Sequence, residues 1–141
     1  MVKNQKEMPV TRPITTQRPI SIFCWNLQTK RELLASSELS VLPTHSEAFG
    51  ISISESLASG TPMLTTTAAP WLDLETHQCG WRTEVGVTPT IQGLRNSLSM
   101  NKTQLKKMGQ RGLELVKDKY TWHQTIQQVA TYYQQWINTS E

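Results

Sequence analysis

The feature that most constrains this chain is a punctuated stretch between Leu39 and Thr66. Leu39 to Leu42 is a short apolar run of strand type, and Pro43 ends it. A polar turn follows from Thr44 to Ala48, then a helical stretch from about Gly50 to Ser59. Gly60 stands where glycine commonly ends a helix, and Pro62 to Thr66 reads as a second strand. Strand, loop, helix, glycine and strand make a βαβ unit. Parallel strands need such a crossover connection, so the unit implies a parallel sheet. The expected fold class is α/β, with a parallel sheet and helices at its C-terminal end.

The flanking sequence extends this pattern. Residues 1–19 are rich in Thr, Gln, Pro and basic residues, and Pro9, Pro13 and Pro19 interrupt any helix. Ile20 to Trp25 is a short apolar run, compatible with a strand or a tethered arm. Lys30 to Ser36 reads as the last turns of a helix. A loop or short helix is expected after Pro70, through Leu74, and a third strand around Gly80 to Val85. Thr88-Pro89 predicts a helix start, with Thr as cap and Pro in the first turn, and the helix runs to about Met100. A further helix is expected from Lys102 to Lys117, with Leu105, Met108, Leu113 and Val116 at helical spacings. The last starts at Thr121, where Thr121 and Gln124 fit a capping box, and reaches Ile137. Trp122, Ile126, Val129 and Tyr133 share one side of it. The expected division is an irregular leader at 1–29, one domain at 30–137 and a tail at 138–141.

Composition narrows the function classes. A chain of 141 residues fits one domain with a real core. A net charge of +3 permits phosphate-bearing ligands or an anionic membrane surface and demands neither. No apolar run approaches the roughly 18 residues of a spanning helix, and Met1 to Arg18 lacks the apolar core of a secretory signal. Cys24 and Cys79 match no metal or redox motif, and free thiols in a reducing cytosol are the simplest reading. The expected location is cytoplasmic, with room for a peripheral contact at the inner face of the membrane.

The residues from Ser46 to Pro62 carry the chemistry. Glu47 lies in a loop at the end of a strand, where open α/β sheets bind ligands. Gly50 lets backbone approach a ligand at a helix start. The free N–H groups of that first turn, Gly50 to Ile53, suit an anion such as a diphosphate. Glu55 lies within the helix, with Ile51 and Ala58 as neighbours on its face. A partly shielded carboxylate needs a partner, and a pair of vicinal hydroxyls, as on a ribose, suits an acceptor-only group. The plain alternative is a solvated Glu47 and a Glu55 paired with a nearby Lys or Arg.

This segment resembles the E-x7-E signature of the GT-B glycosyltransferases, in particular the large retaining group 4 family. The resemblance rests on Glu47, Ala48, Phe49-Gly50, Glu55, Ala58, Gly60 and Pro62, with Val41-Leu42-Pro43-Thr44 upstream and Gly80-Trp81-Arg82 downstream. It covers about residues 31–137, the later helices in pattern only. It implies a transferase of the hexosyl-transferring class, and a GT-B C-terminal, donor-binding domain. The reaction implied is transfer from a nucleotide diphosphate sugar to a glycan or lipid-linked acceptor, with polysaccharide or lipopolysaccharide biosynthesis as the setting. On matching positions, Glu47 would sit beside the donor sugar and diphosphate as the catalytic residue. The backbone of Phe49, Gly50 and Ile51 would cradle sugar hydroxyls and phosphate, and Glu55 would bind the ribose. No catalytic metal or other cofactor is implied, and the leaving diphosphate helps deprotonate the acceptor.

The resemblance also implies partners. Family members have two Rossmann-like domains with the site between them, and these residues have room for only the later part of the second. A separate N-terminal acceptor domain is therefore expected. The family's basic diphosphate partners have no convincing match among Lys3 to Arg31. A non-catalytic nucleotide-sugar-binding or partner-binding remnant is the alternative function. Nucleic acid is not an expected partner, because only charge suggests it.

Other signals have plainer readings. His45 could reach the sugar, but a loop histidine is ordinarily solvated. His77 and Cys79 lack the second pair of ligands that a metal needs. Trp71 and Trp81 could stack on a ring but are expected in the core. The basic face of Lys102 to Lys119 could touch anionic lipid and is expected to be solvated.

Overall fold

The structure, a computed structural model, describes residues 26–139. Residues 1–25, and with them the apolar run Ile20–Trp25 and Cys24, lie outside the described residues. Six helices and three strands follow in the order α1 (Leu27–Ser36), β1 (Ser40–Leu42), α2 (Ile51–Ala58), β2 (Met63–Thr66), α3 (Asp73–Thr76), β3 (Gly80–Thr83), α4 (Val87–Leu98), α5 (Lys102–Lys119) and α6 (Trp122–Thr139). The strands form one parallel sheet in the order β1-β2-β3, with Ser40 opposite Met63 and Met63 opposite Gly80.

The expected βαβ unit is present. Gly60 adopts φ +75°, which a side chain would strain. The N–H of Gly60 reaches the carbonyl of Leu57, and that of Thr61 reaches Ser56. These two bonds close a Schellman motif, so α2 stops and the chain turns straight into β2. The Ser56 hydroxyl adds a bond to the Thr61 carbonyl at 3.1 Å.

The central strand is buried along its whole length. Met63 packs with Ile53 and Leu57 of α2, Leu74, Cys79 and Leu115 in the main core. Leu64 faces α4, where a Cβ built on Gly93 would stand 2.9 Å from its Cδ1. Helices thus cover both faces, as a parallel sheet requires. Complete burial of Ile53 and Leu57 stabilises the fold by about 1.5–3 kcal/mol each. Helix α5 lies close on α2, because Gly109 and Gly112 carry no side chain there. A Cβ at Gly109 would meet the Gly60 carbonyl oxygen at 1.8 Å, and one at Gly112 would meet Leu57 at 2.7 Å.

Several sequence expectations need correction. Helix α1 begins at Leu27, three residues inside the expected leader, because the Asn26 side chain caps it by accepting from the Gln28 N–H at 2.7 Å. Helix α4 begins at Val87 with Gly86 in the cap position, so Thr88 is not its cap. Gly86 takes φ +143°, and the Thr90 hydroxyl bonds back to its carbonyl at 2.7 Å. Pro89 still lies in the first turn, where a missing N–H costs no helical bond. Helix α5 opens with a capping box between Asn101 and Gln104 and runs two residues past Lys117. Its buried face is Leu105, Met108, Gly109, Gly112 and Leu115, while Leu113 and Val116 are half-buried flanks. The widest departure is α6. It runs through Thr139 and so takes in residues 138 and 139 of the expected tail. Its apolar side faces outward: none of its residues is buried, and Trp122 is 83% exposed.

Candidate functional site

The C-terminal ends of β1 and β2 build the floor of the site. The Thr66 hydroxyl at the end of β2 donates to the Thr44 carbonyl at 2.5 Å, and the Thr65 hydroxyl donates to Leu42 at 2.9 Å. The Thr44 hydroxyl donates onward to the Ser46 carbonyl at 2.8 Å. These bonds fix the loop that carries Glu47 to the sheet. Glu47 is half-buried, and no ion pair or hydrogen bond engages its carboxylate among the described residues.

The far end of the loop is held by aromatic side chains. The Trp71 indole N–H donates to the Phe49 carbonyl. Phe49 packs at a tilt against Trp71 and Tyr120 with ring centroids 5.4 and 6.0 Å apart, and Trp71 against Tyr120 at 4.6 Å. Tyr120 is fixed in turn by its hydroxyl, which donates to the Asp73 carboxylate at 2.5 Å. Lys119 reaches the same carboxylate oxygen at 2.7 Å. Burial raises the Asp73 pKa, but the Lys119 and Tyr120 hydrogen bonds and the charges of Lys119 and His77 outweigh it and hold the carboxyl below its usual range. Burial and the Asp73 hydrogen bond push the Tyr120 phenol up, so it stays a neutral donor. Sequence reading did not single out Thr66, Asp73 or Tyr120. It placed Trp71 in the core, which is correct, without seeing that its polar edge holds the loop.

Gly50 is the pivot into α2. It is buried at φ +82°, ψ 65°, and a Cβ there would stand 2.8 Å from Ile53 Cδ1 and 3.2 Å from Glu47 Cγ. No side chain caps α2. The Ile53 N–H already binds the Gly50 carbonyl at 2.9 Å, which narrows the expected anion cradle. Among the described residues, the N–H groups of Ile51 and Ser52 stay open beside Glu47. Open N–H groups and the positive end of a helix dipole favour an anion at this position.

Glu55 lies just past one turn further along α2. Its carboxylate meets the Lys30 ammonium of α1 at 2.5 Å, with side-chain exposures of 31% and 39%. The ion-paired alternative for Glu55 is therefore realised. A pair this exposed adds little stability. It borders an open cavity of about 420 Å³ between α1 and α2. Glu47 thus lies against Gly50 at the start of α2, and Glu55 follows about one turn along the same helix.

The weaker candidates separate from this site. His45 is exposed. Cys79 is buried, and burial pushes its thiol up to about 11, so it is a poor nucleophile and metal ligand. Among the described residues no group of three His, Cys, Asp or Glu side chains could hold a metal ion. Lys102 pairs with Glu38 at 2.6 Å and Lys119 with Asp73, while Lys106, Lys107 and Lys117 are solvated. No helix among the described residues is long and apolar enough to cross a membrane.

Comparison with known proteins fits this geometry. The sequence model of the family described as glycosyl transferases group 1 matches residues 21–112, which include all of β1, α2 and β2. The chain belongs to this family. Of curated proteins, N-acetyl-alpha-D-glucosaminyl L-malate synthase of Bacillus anthracis is 29% identical over 113 residues, which are 79% of this chain and 30% of that protein. Of solved structures, sucrose-phosphate synthase from Thermosynechococcus elongatus superposes with a TM-score of 0.62 at 19% identity, over 76% of this chain and 27% of its own. That likeness speaks for the fold, a Rossmann-like domain of GT-B type. The chain thus spans less than a third of the length of either relative.

Proposed function

We propose that this group 1 glycosyl transferase chain is the donor-binding part of a retaining enzyme that moves a hexosyl group from a nucleotide diphosphate sugar to a glycan or lipid-linked acceptor. One observation carries the reading. The N-terminus of α2 is uncapped, opens through a glycine at φ +82° beside the unengaged carboxylate of Glu47, and is followed about one turn along the helix by the carboxylate of Glu55. The diphosphate lies against the N–H groups of Ile51 and Ser52. Glu47 faces the sugar, and Glu55 accepts hydrogen bonds from the ribose hydroxyls. The backbone at Phe49 and Gly50 shapes the approach.

Chemically, the task of such a site is to stabilise charge on the leaving diphosphate. Fixed N–H groups and a helix dipole do this without reorganising during the reaction. The departing phosphate then takes the acceptor proton, so no catalytic metal is needed. The acceptor is held by a separate domain, and the setting is polysaccharide or lipopolysaccharide synthesis in the cytoplasm, at the inner membrane face.

Thermal unfolding with UDP or GDP tests the reading. A ligand that binds only the folded chain stabilises it by RT ln(1 + [L]/Kd), about 2.7 kcal/mol at a hundredfold excess over Kd. One of the two nucleotides should raise Tm at millimolar concentration, and Glu55→Ala should abolish most of the rise. Equal Tm with and without both nucleotides would remove the donor site.

A further inference from the structure

Resting on the ribose reading of Glu55, we infer that Lys30, which meets Glu55 across the groove between α1 and α2, is the positioning residue of that carboxylate. The groove is lined by Leu27, Lys30, Leu34, Glu55 and Ala58, with Arg31 at its side. It combines apolar surface with cationic donors and one carboxylate. It opens beside α2 just past one turn from the uncapped N-terminus. At about 1.5 Å of rise per residue, Glu55 stands some 6 Å along the axis from Ile51. A diphosphate at the helix start therefore places its ribose within reach of Glu55.

The Lys30 pair fits this use rather than opposing it. Lys30 engages one oxygen of Glu55, Oε2, at 2.5 Å. Among the described residues Oε1 has no partner, and Oε2 keeps a further lone pair. An ionised carboxylate has about four acceptor sites, so two vicinal hydroxyls can still bind. The ammonium does two things. It fixes a carboxylate that would otherwise sample several rotamers, and it offsets a negative charge that a diphosphate must approach. Lys30 is itself placed from both ends of α1. The Asn26 cap fixes the start of the helix, and the Thr61 hydroxyl donates to the Leu34 carbonyl at 2.6 Å near its end.

The test is calorimetric titration of the full chain with UDP and GDP and with their 2′-deoxy forms. The wild type should prefer the ribonucleotide by about tenfold, the effect of one hydrogen bond to a charged group. Lys30→Met should reduce that preference to within about threefold, with an unchanged circular dichroism spectrum. Lys30→Arg should restore it. A merely structural Lys30 would weaken ribo- and deoxyribonucleotide alike and leave the ratio intact, which would overturn the inference. Tighter ribonucleotide binding by Lys30→Met would also overturn it, by showing that the pair competes with ribose. Glu55→Ala separates the two levels. If the wild type discriminates and Glu55→Ala still does, the ribose reading fails. If Glu55→Ala loses discrimination and Lys30→Met keeps it, only the role of Lys30 fails.

Discussion

Replacing Gly109 with alanine sets two known effects against each other. In a helix interior alanine is favoured over glycine by about 1 kcal/mol, so α5 alone should gain. The packing opposes this. The new Cβ would stand 1.8 Å from the Gly60 carbonyl oxygen and 2.7 Å from its carbonyl carbon, where ordinary contact begins at 3.4 Å. The two backbones must separate by about 1.6 Å, since neither atom belongs to a flexible side chain. That movement loosens Leu105, Met108 and Leu115 against the α2 side of the core. Overpacking of this kind costs about 1–3 kcal/mol, and a backbone collision lies at or above the upper end. The net expectation is a loss of about 2 kcal/mol, or roughly 1 M in the urea midpoint. Gly112→Ala crowds the flexible end of the Leu57 side chain at 2.7 Å and meets Cys79 Cβ only at ordinary contact, 3.5 Å, so it should stay within about 1 kcal/mol of wild type. Gly60→Ala meets nothing within 4 Å and should cost only the left-handed strain, about 1–2 kcal/mol. Urea unfolding followed by circular dichroism measures all three. A Gly109→Ala midpoint at or above wild type would refute the close packing of α5 on Gly60.

Other consequences can be checked in the same way. The depressed Asp73 pKa gives a contribution that is present above the unfolded value of 3.8 and is lost as pH falls through the lower folded value. Asp73→Asn should therefore be about 1–2 kcal/mol less stable at pH 7, with the gap closing below about pH 4. A gap independent of pH would rule out the charge as its cause. Trp71→Phe keeps a ring but loses the N–H bond to the Phe49 carbonyl, so it should cost about 1 kcal/mol and weaken nucleotide binding while the chain stays folded. Unchanged nucleotide affinity would mean that Trp71 does not hold the donor loop. Ile126→Gln and Val129→Gln lie on the exposed side of α6 and should each change stability by less than about 0.5 kcal/mol. Losses of core size in thermal unfolding would contradict that exposure.

The parts of the fold that were legible in the sequence are those set by local punctuation. Pro43, Gly60 and Pro62 delimit β1, α2 and β2, because proline and glycine act on their own backbone whatever surrounds them. The contact face of α5 was only half legible, since Gly109 and Gly112 form its centre and an apolar count passes over glycine. The helical spacing of Trp122, Ile126, Val129 and Tyr133 predicts one apolar side of α6, and α6 has it, but periodicity gives the spacing of a stripe and not what covers it. The Thr88-Pro89 pair predicts the cap too late, at Thr88, because α4 starts from Gly86 with a back-bond from Thr90. In the site, Glu47, Gly50 and Glu55 stand out through spacing. Lys30, Trp71 and Tyr120 do not, because their partners lie 22 to 47 positions away and meet only in the fold. Glu55 was expected to need a partner, and α1 was the nearest basic element before it.

The most direct test of the donor site is a two-dimensional amide NMR titration of the chain with UDP and with GDP. The account predicts saturable shifts with one of them, largest at Ile51 and Ser52, whose N–H groups are open, and extending through Gly50 to Glu55. Amides of α6 should stay in place, and Glu55→Ala should need a higher nucleotide concentration for the same shifts. Shifts that miss the start of α2, or no shifts at millimolar concentrations of either nucleotide, would contradict the claim that this helix terminus receives the diphosphate.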